Sequence, residues 1–356
     1  MVRMLQLGGT ERDLRVIGAG HFAVPQEVKT DPVGRRAALV EGIRNLVREG
    51  RFRGREVVTA LGGSELAVRN IRVPRMSDEE LATAVNWEAQ NKFPFDTATA
   101  IIQHLRAGEI RQADQTLDEV ILLAVPRAEA DARIQLVCEA GLDPVSLDAA
   151  AAAIFRGFER FLRRREDETV LSAFADVGAQ TTVVITRGRE IVFIKTIPIG
   201  GAVFNRAVAE NLELSASEAE ALRRRLGHHD PRTAAADAAE TDRVSRAVTD
   251  AIRPHLEDLA NEIELCLRYY GVTFRGPRPE SMTLTGGESH NADVAAALQE
   301  RLGLAVRPAD PLRGVRTDEL GPVLERRGML GEWTTAFGLS LKGLYLAGPL
   351  AAERAA

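Results

Sequence analysis

"FADVGAQTTVVITRGREIVFIKTIPIGG", residues Phe174 to Gly201, is the stretch on which the reading of this chain turns. An apolar approach from Leu171 to Ala175 has the character of a buried strand that delivers Asp176 at its end. Two runs of strand formers follow, separated by a turn at Arg187-Gly188, and the second run closes on Gly200-Gly201. Gly178 allows the backbone a positive φ and a close approach to a ligand. The amides of Ala179, Gln180 and Thr181 can form a small nest for phosphate oxygens. Asp176 is then placed to hold a hydrated Mg²⁺, an ion that takes one or two carboxylates together with waters and phosphates. A plain hairpin turn with an aspartate cap fits Asp-Val-Gly equally well. The strand–turn–strand and the Pro-Ile-Gly-Gly behind it sharpen the phosphate reading.

Working outward, the N-terminal stretch of residues 2–25 echoes this unit: two strand runs, read as turning at Gly8-Gly9, with a helix from about Val33 to Glu49 behind them. "REVVTALGG" and "SELAVRNIRVP" read as strands. "MSDEELATAVNWEAQNKF" opens a helix with Ser77 as N-cap and Glu80 three places on, the spacing of a capping box. The charge run Arg163 to Glu168 reads as a solvated seam between two α/β halves, 1–165 and 166–356. Two such halves predict a ligand cleft between them.

With 45% hydrophobic and 27% charged residues, the 356-residue chain reads as globular and long enough for two cores. A net charge of −5 gives no electrostatic reason to expect nucleic acid or anionic lipid as a partner. Cys138 and Cys266 lack CxxC or zinc spacing, which fits a reducing compartment. No apolar run is long enough to span a bilayer, so the expected location is the cytoplasm, with any membrane association made through a partner.

Four further stretches could carry chemistry. "LTGGES", Leu284 to Ser289, reads as a strand running through Gly286-Gly287 into a helix, so that bare backbone and a helix N-terminus could meet ribose or phosphate. Glu288 sits badly there: a carboxylate beside phosphates repels them unless it points away or toward a metal. Glu262 lies off the apolar stripe of Leu259, Ile263 and Leu267, where it faces either a cleft or solvent. Trp87, Phe93 and Phe95 stand out in a chain only 5% aromatic, as local core or as an anchor for a partner. His228 and His229 sit side by side in a polar loop with no third ligand in view.

These residues resemble a known family. The 174–201 unit is similar to the second phosphate motif of actin- and FtsA-type ATPases, "LTGG" to their adenosine motif, and "VSLDAAAAAIFR" with Asp148 to their first connecting segment. More narrowly, "VPRMSDEELATAVNWEAQNKFPFD" at 73–96 resembles the type IV pilus assembly protein PilM family, whose layout "AGLDPVSLDAAAAAIFR" and "AFGLSLKGL" also follow. The resemblance implies an actin-like ATPase fold of subdomains IA and IC facing IIA and IIB, with IC at about 65–125 and IIB at about 205–275. It implies ATP and Mg²⁺ as cofactors, with Asp176, Gly178, Ala179, Gln180 and Thr181 at Mg²⁺ and phosphate, and Glu262, Gly286, Gly287 and Glu288 at adenosine. It also implies a partner, the cytoplasmic N-terminal tail of a PilN-like inner-membrane protein, held near Trp87, Phe93 and Phe95.

One departure tempers the cofactor expectation. The family opens with a strand and an Asp-x-Gly turn ahead of the first hairpin, whereas this sequence starts at Met1-Val2-Arg3, already inside that hairpin. Either the protein starts upstream, or it has lost half of its phosphate clamp, in which case poor ATP affinity and no appreciable hydrolysis are expected. The leading expectation is therefore an adaptor of a pilus machine. A pseudo-ATPase scaffold of a secretion or competence machine is the alternative. A kinase of the same superfamily would need a catalytic base and substrate pocket in the first half, and the sequence offers neither.

Overall fold

The computed structural model describes residues 1–10, 13–90, 92–112, 115–162, 164–227, 238–317 and 330–347. His228 and His229 lie outside the described residues. The chain divides into two compact units, one of Met1–Val170, Thr186–Ile194 and Asp310–Ala356, the other of Leu171–Ile185 and Lys195–Ala309.

The first unit opens on antiparallel strands β1 (Val2–Thr10) and β2 (Asp13–Phe22). Gly8 and Gly9, read from sequence as the turn, instead lie within β1, paired with Arg15 and Leu14. Gly9 keeps a positive φ of 98° there, and an added Cβ would run into the Asp13 backbone, so the pair marks close strand contact. Helix α1 (Pro32–Glu49) starts on Asp31, whose carboxylate accepts from the amides of Val33 and Gly34. Strands β3 (Glu56–Leu61) and β7 (Asp143–Ala149) pair in parallel, and between them the chain makes an antiparallel sheet of order β4–β6–β5 (Ala67–Pro74, Gln115–Pro126, Ala100–Gln112). Helix α2 (Asp78–Glu88) covers that sheet with Leu81, Val85 and the neighbouring Ala89 against Val73, Val120 and Leu122. Helices α3 (Arg127–Glu139) and α4 (Ala150–Glu159) follow β6 and β7.

Sequence reading put the last residues in the second half. The structure packs α9 (Thr334–Leu346) into the first unit, where Trp333, Phe337 and Leu341 join Leu7, Leu14 and Val16 in one core. The small residues of α9 explain the packing: the backbone of α4 at Ala153 occupies the space a Cβ at Gly338 would need.

A five-stranded sheet has the order β10–β9–β8–β11–β12 (Glu190–Ile197, Thr181–Arg187, Leu171–Val177, Ser281–Thr285, Ala305–Pro308), and the second unit takes from it β8, β11, β12, Thr181–Ile185 of β9 and Lys195–Ile197 of β10. Strands β8, β11 and β12 run parallel, and β11 reaches β12 through α8 (Ala292–Leu302). These strands read as near-continuous apolar runs because they are buried on both faces. Helices α5 (Gly201–Asn211), α6 (Ala216–Gly227) and the long α7 (Ala238–Phe274) complete the unit.

Candidate functional site

In the second unit the register of β8 and β11 sets Asp176 opposite Thr285, so both loops under suspicion leave the sheet side by side. The Glu288 amide donates to the Val177 carbonyl at 3.0 Å, fastening one turn to the other. Gly286 has φ 88°, and a Cβ there would come within 2.7 Å of Asp176 Oδ1 and 2.6 Å of the Val177 oxygen. Glycine is required at this position for both conformation and space. Gly287 is exposed, with nothing close to its missing side chain. The structure thus brings together Asp176, Gly178, Gly286 and Glu288 on one edge of the sheet.

Several donors that border the 178–181 turn are used within the loop itself. The Gly201 and Ala202 amides at the start of α5 donate to the carbonyls of Gly178 (2.8 Å) and Ala179 (3.2 Å), so the loop itself satisfies this helix end. The Gly178 amide donates to the Gln180 carbonyl, and the buried Thr181 hydroxyl donates to the Ile199 carbonyl at 2.7 Å. The Gly-Gly turn does not run straight into a helix either. Helix α8 begins at Ala292, capped by Asn291 and carrying Asp293 in its first turn, which makes its N-terminus a poor place for phosphate.

Glu288 settles where its charge goes: its Oε2 lies 2.7 Å from Nη2 of Arg223, whose side chain is only 6% exposed. Arg223 also donates to Asn205 Oδ1 at 2.6 Å and stacks over Phe204 at 5.2 Å. The other carboxylate oxygen of Glu288 lies 2.8 Å from where Gly201 would carry a Cβ. As arranged, these residues do not fit a nucleotide phosphate, because the buried cation is already neutralised and a carboxylate packs against the bare start of α5. Sequence reasoning did not single out Arg223, the first of three consecutive arginines. Glu262 lies on α7, one turn before Cys266 and close enough to raise that thiol's pKa. It makes no hydrogen bond or ion pair among the described residues.

The second candidate lies wholly in the first unit. A hollow of about 590 Å³ is lined by Asn86 and Gln90 of α2 and by Phe93, Phe95, Asp96 and Ile102 among others. Phe93 and Phe95 stack with ring centroids 5.4 Å apart. Phe93 is core, 8% exposed, with Arg69 over its ring. Phe95 packs against the same core and borders the hollow. Trp87 stands 73% exposed on α2, between Asn86 and Gln90 in sequence. Of the three predicted anchors, Trp87 is exposed, Phe95 borders the hollow and Phe93 is buried in the core beneath it. Helix α2 is set by its capping box: the Glu80 amide donates to the Ser77 hydroxyl, and Glu80 Oε2 accepts from the Ser77 amide at 2.8 Å.

The family model for type IV pilus assembly protein PilM matches residues 1–344. The chain belongs to the PilM family. Among solved structures it is similar to that of a PilM–PilN type IV pilus biogenesis complex, at 26% identity over 96% of this chain and 95% of that one, with a TM-score of 0.78. It is 23% identical to the cell division protein FtsA of Bacillus subtilis (strain 168) over 220 residues, 57% of this chain and 44% of FtsA, so that the match spans less than half of that relative. A fainter likeness, TM-score 0.49 at 13% identity over 96% and 90% of the two chains, is to the ethanolamine utilization protein EutJ from Carboxydothermus hydrogenoformans. The fold is the actin-like ATPase fold of the PilM family.

Proposed function

We propose that this chain is an adaptor of the type IV pilus machinery that binds the cytoplasmic N-terminal tail of a PilN-like inner-membrane protein. The observation that carries the reading is the likeness to the PilM–PilN complex along nearly the whole chain, at a TM-score of 0.78. A local surface supports it. The hollow beside α2 offers apolar walls from Phe95 and Ile102 with polar groups from Asn86, Gln90 and Thr97, the mixture that seats a short peptide with one or two apolar anchors. Exposed Trp87, next in sequence to Asn86 of the hollow's lining, supplies a large contact at low entropic cost. No helix among the described residues is long and apolar enough to cross a membrane, and under this reading the protein sits in the cytoplasm, tethered to the inner membrane through its partner.

The reading gives ATP and Mg²⁺ no part in this role, since Asp176, Gly286 and Gly287 stand beside the Arg223–Glu288 pair in an arrangement that does not fit a phosphate. Isothermal calorimetry with a synthetic peptide of the PilN-like protein's N-terminal tail tests the adaptor reading. Saturable micromolar binding that a scrambled peptide lacks is expected. Absence of heat at high peptide concentration, with and without MgATP, contradicts it.

A further inference from the structure

We propose that Glu288 is a built-in anion that fills the ligand position of the second unit, so that the chain closes its own nucleotide-binding edge with the Arg223–Glu288 pair instead of with a phosphate. Three elements converge on this carboxylate. Its backbone is pinned to the end of β8 through the Val177 carbonyl, 3.0 Å away. One carboxylate oxygen takes Nη2 of Arg223 at 2.7 Å and the amide of the Asn291 side chain at 3.3 Å. The other lies 2.8 Å from where Gly201 would carry a Cβ, so a side chain there would have to displace it.

Arg223 is held through both terminal nitrogens, while its buried Nε has no hydrogen-bond partner among the described residues. Its side chain is 6% exposed and is held by Asn205 on α5 and by the face of Phe204. A guanidinium this deep needs a counter-charge, and Glu288 is the carboxylate it meets. The pair therefore ties α6 and α5 to the Gly-Gly turn as a bound anion would. An incoming phosphate would meet a like charge and a cation already spent, in a place mostly removed from water. The amides that begin α5 offer no substitute, since Gly201 and Ala202 donate to the carbonyls of Gly178 and Ala179. On this account, removing the carboxylate's charge restores what the glycines at 178, 200, 201, 286 and 287 otherwise provide: bare backbone beside Asp176 and a freed arginine.

Calorimetry of the full chain with MgATP, beside thermal unfolding with and without MgATP, tests this. The wild type should show no saturable binding up to millimolar MgATP and no shift in Tm. Glu288→Gln keeps shape and hydrogen bonds while losing charge, and should bind MgATP about tenfold tighter than wild type or better, with a Tm that rises with ligand. Glu288→Ala should do the same provided it folds, and adding Arg223→Ala should abolish the gain. Micromolar MgATP binding by the wild type overturns the proposal. So does a folded Glu288→Gln that binds MgATP no better than wild type. The readout is nucleotide alone, so failure here is distinct from failure of the adaptor reading, which is scored with peptide.

Discussion

Arg106 on β5 joins the first turn of α2 to a buried carboxylate: its Nη2 lies 2.9 Å from Asp78 Oδ1, while its Nη1 pairs with Asp118, which is 1% exposed. The same guanidinium donates to the Met76 carbonyl at 3.1 Å, just ahead of the Ser77 cap. The helix that carries Trp87 is thereby fastened to the sheet beneath it. Removing Arg106 leaves Asp118 uncompensated in the interior, a mechanism that costs roughly 3–5 kcal/mol for a wholly buried pair. Because the Arg106 side chain is 31% exposed, Arg106→Ala should cost about 2 kcal/mol in a denaturant titration. The double variant Arg106→Met with Asp118→Leu should be less harmful than Arg106→Ala alone, since it leaves no buried charge behind.

The two glycines of α9 should respond in opposite ways. A Cβ at Gly338 would penetrate the Ala153 carbonyl of α4, with no flexible side chain able to yield. Gly338→Ala should therefore destabilise the protein by about 1–3 kcal/mol, the usual cost of overpacking, or prevent folding. At Gly343 the nearest atom is Cγ2 of Val58 at an ordinary 3.7 Å. Gly343→Ala should be neutral or stabilising by up to about 1 kcal/mol through helix propensity, read by Tm.

The two cysteines should differ sharply toward a thiol reagent. Burial, opposed by Lys195 and helped by Glu262, pushes the Cys266 thiol up to about 12, so it stays protonated at neutral pH. Cys138 is exposed on α3. One thiol should react with a disulfide reagent at pH 8 in the native protein and two after unfolding, and Cys138→Ser should remove the fast phase.

Acid should loosen α2. Hydrogen bonds from the Ser77 backbone and then its hydroxyl hold the Glu80 carboxyl below its usual value. A carboxyl whose folded pKa is depressed stabilises fully above its unfolded pKa of about 4.3, and the contribution disappears as pH falls through the lower folded value. Amide protection of α2 should drop over that range, and Ser77→Ala should move the Glu80 titration, followed by carbon NMR, back upward.

What was legible in the sequence was what neighbours decide. Ser77 with Glu80 marks a helix start because both partners lie within one turn, and the 174–201 hairpin declares itself through β-branched runs around Gly188. Gly8-Gly9 misled because a Gly-Gly pair serves a tight turn and close strand contact equally, and both glycines are paired within β1. The start of α8 was read too early because Gly-Gly is usual before a helix, while Asn291, a stronger cap, stands four places beyond Gly287. The C-terminal helix was assigned to the wrong half because its partners, Leu7 and Val16, lie more than three hundred residues upstream. Arg223 was invisible for the same reason: nothing local separates it from Arg224 and Arg225, and only the fold turns it inward to Glu288.

The most direct test of the adaptor account is the fluorescence of Trp87. The chain has two tryptophans, and Trp333 is 5% exposed in the core of the first unit while Trp87 is 73% exposed. Titration with the PilN-like tail peptide should shift the exposed tryptophan's emission to the blue along a saturable curve. Trp87→Phe should lose the signal and weaken binding by about tenfold, as for an interface anchor worth more than 1 kcal/mol. Trp87 emission that stays unchanged while calorimetry records tight binding would place the tail elsewhere, and no binding by either method would contradict the account.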